Sequence, residues 1–149
     1  MTQPFASSML PQLALATLMV FVTVLIHGVG VTTLARLLRF DPTAEEHHHH
    51  FTPHVAMLVL AIVLALVTLV TLHGIEIWLN AGLYLYLDAV ADLETAVYFS
   101  TITYAAIGFG DSEMARQWRL VSAIEGVNGV LLLGWAMAFF VSVVARLRR

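Results

Sequence analysis

Residues 103–111 read TYAAIGFGD, and they lie between two long apolar segments. Gly108 and Gly110 flank Phe109, and no side chain from Ile107 to Gly110 is a nucleophile, a general base or a metal ligand. Glycine adopts backbone dihedral angles that are closed to other residues, so the motif favours an irregular turn. Irregular backbone is tolerated at membrane depth only where it is buried in protein or lines a water-filled cavity. The motif therefore indicates that the backbone, and not a side chain, is functional here.

The composition is that of an integral membrane protein with room for one domain. Of the 149 residues, 60% are hydrophobic and only 11% are Asp, Glu, Lys or Arg, which is too little charge for a soluble surface. The absence of cysteine excludes disulfides and thiolate metal sites. All the basic residues are arginines in three separate groups, so no basic run suggests a nucleic-acid partner. Because no positive charge precedes the first apolar stretch, we expect that stretch to be retained rather than cleaved as a signal peptide.

Three segments are long enough to cross a bilayer, which takes about 20 apolar residues. They run from about Leu13 to Ala35, from Val55 to Trp78 and from Leu120 to Ala145. A fourth segment, 92–106, is apolar but too short to span, and Asp92 is its predicted N-cap. We expect this segment to enter the membrane as a re-entrant helix and to return through the glycine-containing turn.

The arginines predict the orientation of the chain. Arg36 and Arg39 follow the first span, and three further arginines end the chain at 146–149. Placing both groups in the cytoplasm satisfies the positive-inside rule for short loops. Three spans then put the N-terminus outside and the C-terminus in the cytoplasm. Most acids fall near the outer face, where a negative vestibule would raise the local concentration of cations.

An apolar helix, a short re-entrant helix, a glycine-containing turn and another apolar helix form an arrangement that resembles the pore module of potassium channels. The likeness is most specific at residues 106–111, which read AIGFGD where the filter of that family reads TVGYGD. The preceding LETAVYFSTITY and the following WRLVSAIEGVNGVLLLGW also resemble the bacterial branch with two transmembrane helices. The first span of this chain is extra to that module.

The resemblance implies an all-α membrane protein with three transmembrane helices, a re-entrant pore helix and a selectivity-filter loop. It also implies a homotetramer surrounded by the lipids of a bacterial inner membrane. We expect an N-terminal helix and a cytoplasmic histidine-rich loop at 1–53, with the extra helix at the periphery against the outer helix, and a pore module at 54–149. The module divides into an outer helix at 54–78, a pore helix at 92–106, a filter at 106–111 and an inner helix at 119–146.

The resemblance assigns the filter to a continuous run of residues: Ala106, Ile107, Gly108, Phe109, Gly110 and Asp111. In such a filter, backbone carbonyls from four subunits replace the hydration shell of K⁺. Passive conduction needs no catalytic residue, so we expect no enzymatic activity and no cofactor beyond K⁺ ions in the filter. The first span carries no regular arginine series, which excludes a voltage sensor.

Four positions depart from the pattern of the family. Ala106 replaces a threonine whose hydroxyl forms the innermost coordinating ring, and Ala105 replaces a threonine that is common one place earlier. Phe109 lacks the hydroxyl of the usual tyrosine. Ile102 stands where some members carry a buried carboxylate. These departures predict weaker binding at the inner end of the filter. They leave a non-selective cation channel of the same fold as an alternative.

The connector between the first two spans is rich in histidine, which is a common metal ligand and titrates near physiological pH. Its candidates for metal or proton sensing are His47, His48, His49, His50 and His54. A solvated loop of biased composition is the simpler interpretation. A metal transporter or metal-responsive membrane protein built around this loop is an alternative function, although it does not explain the GFGD motif.

Several residues within the spans have both a structural and a functional interpretation. Gly129 and Gly134 are candidates for a gating hinge, but small residues also allow close helix packing in membranes. For Glu76 and Glu125 we favour structural pairing behind the filter over ion binding. Both lie near the outer ends of their spans, so an interfacial position is an alternative, as is pairing of Glu125 with Arg119.

Two histidines lie in or near the first two spans. On the predicted topology His27 lies in the inner half of the first span and His73 near the outer end of the second. We therefore expect them to lie too far apart in depth to hold one haem iron between them. Each is expected to be a buried, hydrogen-bonded histidine.

Overall fold

The computed structural model describes residues 4–38, 51–108, 110, 112 and 114–147. Within these residues all regular structure is helical and there is no strand. The elements are α1 (Pro4–Leu37), α2 (Phe51–Tyr86), α3 (Leu93–Tyr104), a 3₁₀ turn (Arg116–Trp118) and α4 (Arg119–Leu147). The all-α fold predicted from the sequence is therefore confirmed.

Three of the helices are long and apolar enough to cross a membrane. The candidate spans are Met9–Leu37, Val55–Tyr86 and Arg116–Ala145, with mean hydropathies of 2.2, 3.0 and 2.1. Large apolar side chains such as Phe21 and Leu131 are 65% and 66% exposed on the single chain, which suits contact with lipid. The predicted number and order of the spans are confirmed.

The second helix is longer than the sequence predicts. α2 runs to Tyr86, whereas the apolar pattern places its end at Trp78. Asn80, just beyond that point, is buried and donates a side-chain hydrogen bond of 3.0 Å to the carbonyl of Glu76, one turn back. Because this bond satisfies the amide within its own helix, the polar residue does not end the helix. The 36 residues of α2 extend over about 54 Å, well beyond a hydrocarbon core of about 30 Å.

The short helix α3 begins where the sequence predicts. The carboxylate of Asp92 caps it and accepts hydrogen bonds from Thr95 N–H at 2.8 Å and from Thr95 Oγ1 at 3.1 Å. The N–H donated by Thr95 lowers the pKa of Asp92, because it stabilises the charged carboxylate. Glu94 lies in the first turn, where the helix dipole favours negative charge. The predicted N-cap is therefore confirmed.

The four helices pack around two apolar clusters. One cluster contains Tyr84 of α2, Phe99 of α3 and Val121 of α4, and the rings of Tyr84 and Phe99 meet edge to face at 5.9 Å. The other contains Leu34 of α1 and Ala136 of α4. α1 thus contacts α2, the outer helix that the sequence predicts it to brace, and it also contacts α4.

Glycine allows α4 to approach the last turn of α3. A Cβ atom at Gly129 would collide with the backbone oxygen of Tyr104, and one at Gly126 would lie 3.2 Å from that of Thr103. Nothing that the structure describes lies within 4 Å of the same position at Gly134. Gly129 therefore has a packing role, as small residues commonly do between membrane helices. A hinge at Gly129 or Gly134 stays a prediction.

We predict that Gly129→Ala destabilises the protein, whereas Gly134→Ala is tolerated. The methyl group at residue 129 would collide with backbone, and overpacking of this kind typically costs about 1–3 kcal/mol. Thermal unfolding in detergent, followed by circular dichroism, should give a lower midpoint for Gly129→Ala alone. Equal midpoints for the two variants would contradict the packing role.

Candidate functional site

The end of α3 is a hydrogen-bonded cap that turns the chain. The N–H of Ala106 donates to the carbonyl of Thr103 at 2.9 Å, and the N–H of Ile107 donates to the carbonyl of Ile102 at 2.9 Å. These are the two bonds of a Schellman motif, in which the residue after the helix adopts a left-handed conformation. Here that residue is Ala106, with a φ of 54°, where glycine is usual. Left-handed backbone costs a residue with a Cβ roughly 1–2 kcal/mol.

Positive φ angles recur at alternate residues of the segment that follows. The φ angles of Ala106, Gly108 and Gly110 are 54°, 53° and 122°, whereas Ile107 has no positive φ. Alternation of left-handed and right-handed residues turns successive peptides the same way, so that N–H groups gather on one side and carbonyls on the other. Within the described part of the chain, no hydrogen bond reaches the carbonyl oxygens of 106–108 or 110. The segment therefore offers backbone oxygens that can coordinate a cation.

The described residues of this alternating segment, 106–108 and 110, are exposed on the single chain. Ile107 is 57% exposed, and its neighbours Ala106 and Gly108 are exposed as well. An open cleft of about 360 Å³ lies between this segment, the end of α3 and the start of α4, and its lining includes Thr103 of α3 and Ser122 of α4. Because the cleft is open, a single chain does not surround an ion that binds to this segment.

A buried carboxylate on α2 holds the last residue of α3. Glu76 is fully buried, and the hydroxyl of Tyr104 donates a hydrogen bond to its Oε2. The Nδ1 of His27, on α1, lies 3.0 Å from Oε1, and the Nδ1 of His73 lies 3.4 Å from Oε2. His73 Nδ1 is also 2.9 Å from the Tyr104 hydroxyl. Side chains from three helices therefore meet at the carboxylate of Glu76. One of them belongs to Tyr104, which lies two residues before Ala106.

A second buried carboxylate, on α4, holds the middle of α3. Glu125 is 4% exposed and accepts hydrogen bonds from the hydroxyl of Tyr84 and from Ser100 Oγ at 2.5 Å. Ser100 Oγ also lies 3.0 Å from the carbonyl oxygen of Ile77. Because burial of a carboxylate is costly without such donors, these bonds fix the position of α3 against both of its neighbours. The predicted structural pairing of Glu76 and Glu125 is confirmed, and both are buried rather than interfacial. The partners of Glu125 shown by the structure are Tyr84 and Ser100, whereas the sequence suggests Arg119.

α1 joins the same polar network through two contacts. His27 reaches Glu76 on α2, and Thr23 accepts a hydrogen bond of 2.8 Å from Asn128 Nδ2 on α4. None of these side chains is more than 5% exposed. The extra helix is therefore fixed by buried hydrogen bonds to both long helices.

The structure corrects the expected depths of His27 and His73. Their ring centroids lie 5.2 Å apart, so the predicted separation is wrong. The error follows from the predicted end of α2 at Trp78. Since α2 continues to Tyr86, His73 lies 13 residues from the end of the helix, which corresponds to about 20 Å. The prediction of a buried, hydrogen-bonded histidine is confirmed for His27, and His73 is hydrogen-bonded with 14% of its side chain exposed.

A family model described as an ion channel matches residues 57–146, a range that contains most of α2, all of α3, the alternating segment and nearly all of α4. The chain belongs to this ion-channel family. The family is that of the two-span potassium-channel pore module, and α1 precedes the matched range. No curated protein and no solved structure matched the chain significantly.

The structure of this ion channel places some of the candidate residues and not others. Of the predicted filter, Ala106, Ile107, Gly108 and Gly110 are described, whereas Phe109 and Asp111 lie outside the described residues. His47, His48, His49 and His50 also lie outside them, and only the backbone of His54 is described.

The sequence missed the donors that hold the two carboxylates of the channel. Ser100 and Tyr104 are four residues apart on α3, and His73 and Glu76 are three apart on α2. Each pair therefore shares one face of a helix, and this spacing is the signal that could have identified them. No comparable signal links either pair to His27 on a separate helix.

We predict that Tyr104→Phe destabilises the channel, whereas Tyr98→Phe on the same helix does not. Loss of the Tyr104 hydroxyl leaves the buried carboxylate of Glu76 with one donor fewer, which costs about 1–3 kcal/mol. Tyr98 is 55% exposed and provides the matched control. Thermal unfolding midpoints in detergent test the difference, and an unchanged midpoint for Tyr104→Phe would show that the bond contributes nothing.

Proposed function

We propose that this ion channel is a homotetramer that conducts K⁺ passively through rings of backbone carbonyls. One observation carries the proposal: the positive φ angles at Ala106, Gly108 and Gly110, directly after a capped short helix. A potassium ion must lose its hydration shell to enter a narrow pore, and rings of carbonyl oxygens can replace that shell. The alternating backbone supplies one set of such oxygens per chain.

The exposure of the segment supports assembly around a common axis. Ile107 leaves 57% of an apolar side chain uncovered, and the neighbouring backbone is exposed as well. A single chain cannot surround an ion with carbonyls on all sides. Four copies related by a central axis would turn four exposed walls into one closed pathway, and they would cover Ile107.

Electrostatics also favour a cation. The C-terminal end of α3 carries the partial negative charge of the helix dipole, and it lies next to the proposed pathway. At the opposite end of α3, Asp88, Asp92 and Glu94 are exposed and would form a negative vestibule. We place this end on the outer face of a bacterial inner membrane, with the N-terminus outside and the C-terminus in the cytoplasm.

A non-selective cation channel of the same fold is the second candidate, and Ala106 is the residue that favours it. Its methyl side chain cannot contribute the hydroxyl ring that threonine would supply. Carbonyl oxygens alone would then define the inner end of the filter, with weaker preference among monovalent cations.

The first test is ion flux in liposomes that contain the purified protein. We expect K⁺ uptake that persists in an excess of Na⁺. Gly108→Ala, at a φ of 53°, should abolish uptake because alanine strains the filter backbone, whereas Gly82→Ala, with nothing within 4 Å, should retain it. Absence of flux from folded protein, or unchanged flux in Gly108→Ala, would reject a backbone pathway. Equal permeation by Na⁺ would select the non-selective channel.

The second test concerns the hydroxyl missing at residue 106. In bilayer recordings, Ala106→Thr should raise the conductance or the preference for K⁺ over Na⁺, because it restores the inner ring. Ala106→Val is the matched control, since valine shares the shape of threonine and the strain of a β-branched residue at a φ of 54°. Identical currents from the threonine and valine variants would exclude a coordinating ring at this position.

A further inference from the structure

Two imidazoles and one carboxylate meet in the buried interior of the chain. His27, His73 and Glu76 each offer one ligand atom that lies within 4.8 Å of the other two. We propose that these three residues bind a divalent transition-metal ion, for which Zn²⁺ is the best match. The proposal concerns binding alone and does not depend on which ions the channel conducts.

The distances between the donors are close to those of a zinc site. Nitrogen and oxygen ligands lie about 2.0–2.2 Å from zinc, so two corners of its tetrahedron are separated by about 3.3 Å. Glu76 Oε1 lies 3.0 Å from His27 Nδ1, and Glu76 Oε2 lies 3.4 Å from His73 Nδ1. One ligand atom from each of the three residues already lies within 4.8 Å of the other two, so small movements of the side chains would bring these atoms to tetrahedral spacing. The Tyr104 hydroxyl, 2.9 Å from His73 Nδ1, is placed to be a fourth ligand.

The donor set selects the class of metal. Two histidines and one carboxylate are a known ligand combination for zinc, whereas Mg²⁺ and Ca²⁺ prefer oxygen ligands throughout. A buried divalent ion also needs negative charge nearby, because an uncompensated charge is costly in a low dielectric. Glu76 supplies one negative charge. Tyr104 can supply a second if its hydroxyl coordinates the ion and releases its proton to water, as ligands commonly do on binding a metal.

His27 provides an independent observation. The residue is fully buried and packs on Trp135 with ring centroids 5.3 Å apart. Its Nε2 has no hydrogen-bond partner in the described part of the chain. Such buried, unsatisfied nitrogens are rare in proteins, and an ion or a water molecule often binds where one occurs. Coordination by Nε2 would satisfy this atom, but the ring would have to turn and give up the 3.0 Å hydrogen bond between Nδ1 and Glu76. The side chain of His73 is 14% exposed and gives the ion access.

Metal binding at this place would connect α1 to the end of α3. His27 belongs to α1, His73 and Glu76 belong to α2, and Tyr104 is the last residue of α3. Coordinate bonds would replace the hydrogen bonds that now join these helices. An ion would therefore stabilise the fold and fix the residue from which the alternating segment starts.

The test requires a background without the histidines of the loop, which also bind metals. Replacing His47, His48, His49, His50 and His54 with Gln leaves His27 and His73 as the remaining histidines of the chain. The full-length protein is treated with a chelator, incubated with Zn²⁺ and desalted, and its zinc is measured by inductively coupled plasma mass spectrometry. We expect about one zinc per chain and a higher unfolding midpoint with zinc, because the ion binds the folded state.

Single substitutions in this background locate the ion. His27→Gln and His73→Gln should each remove the zinc and the rise in the midpoint. Thr71→Ala, at an exposed position on the same helix as His73, should keep both. Absence of zinc in the background protein, or zinc retained by either histidine variant, would overturn the proposal.

A spectroscopic measurement covers the case in which the histidine variants misfold. Co²⁺ replaces zinc in such sites, and its absorption distinguishes tetrahedral nitrogen and oxygen ligation from the hydrated ion. A tetrahedral spectrum from the background protein supports the site, and the spectrum of hydrated Co²⁺ overturns it. Since no ion gradient is involved, failed K⁺ flux would reject the proposed function and leave the metal site, whereas a conducting channel without zinc would reject the metal site alone.

Discussion

The position of α3 between two buried carboxylates is the constraint on which the rest of the structure depends. α3 has 12 residues, too few to cross a bilayer, so its neighbours must fix its position. Glu76 of α2 binds Tyr104 at its end, and Glu125 of α4 binds Ser100 one turn earlier. A buried carboxylate that lost these donors would cost several kcal/mol, on the order of the penalty for breaking a buried ion pair. Both carboxylates therefore favour the one arrangement in which α3 lies between α2 and α4.

The position of α3 in turn fixes where the backbone that follows it begins. Gly129 brings α4 against the carbonyl of Tyr104, and the Schellman cap turns the chain at Ala106. The cap bonds offset the strain of a left-handed alanine, so the positive φ at this residue is a consequence of how the helix ends. Ile102 of α3 stands where some potassium channels carry a buried carboxylate. In this chain the acids that bind α3 belong instead to the two long helices α2 and α4.

The sequence predicted the features that depend on local composition. Each span is a continuous apolar run, and the cap at Asp92 is encoded within four residues, so both could be identified without knowledge of the fold. The missed features depend on contacts between distant residues. His27 and Glu76 are separated by 49 positions, and no periodicity within either helix relates them. α2 continues to Tyr86 because a polar side chain is satisfied inside the helix, which the hydropathy pattern does not indicate. The glycines of the turn marked two of the left-handed positions, whereas Ala106 carries no such signal, since the cap alone imposes its conformation.

The first helix, α1, lies outside the range matched by the family model, but it makes buried hydrogen bonds to residues inside that range. The family match covers residues 57–146, so α1 lies before the matched module. Nevertheless His27 supplies a donor for Glu76, and Thr23 accepts a hydrogen bond from Asn128. Without α1 these polar groups would face lipid, which offers no water to replace the lost bonds. Glu76 and Asn128 lie within the matched module, yet each has one hydrogen-bond partner on α1, outside it. The module in this chain is therefore adapted to a third helix, and α1, α2 and α4 together form the unit that positions α3.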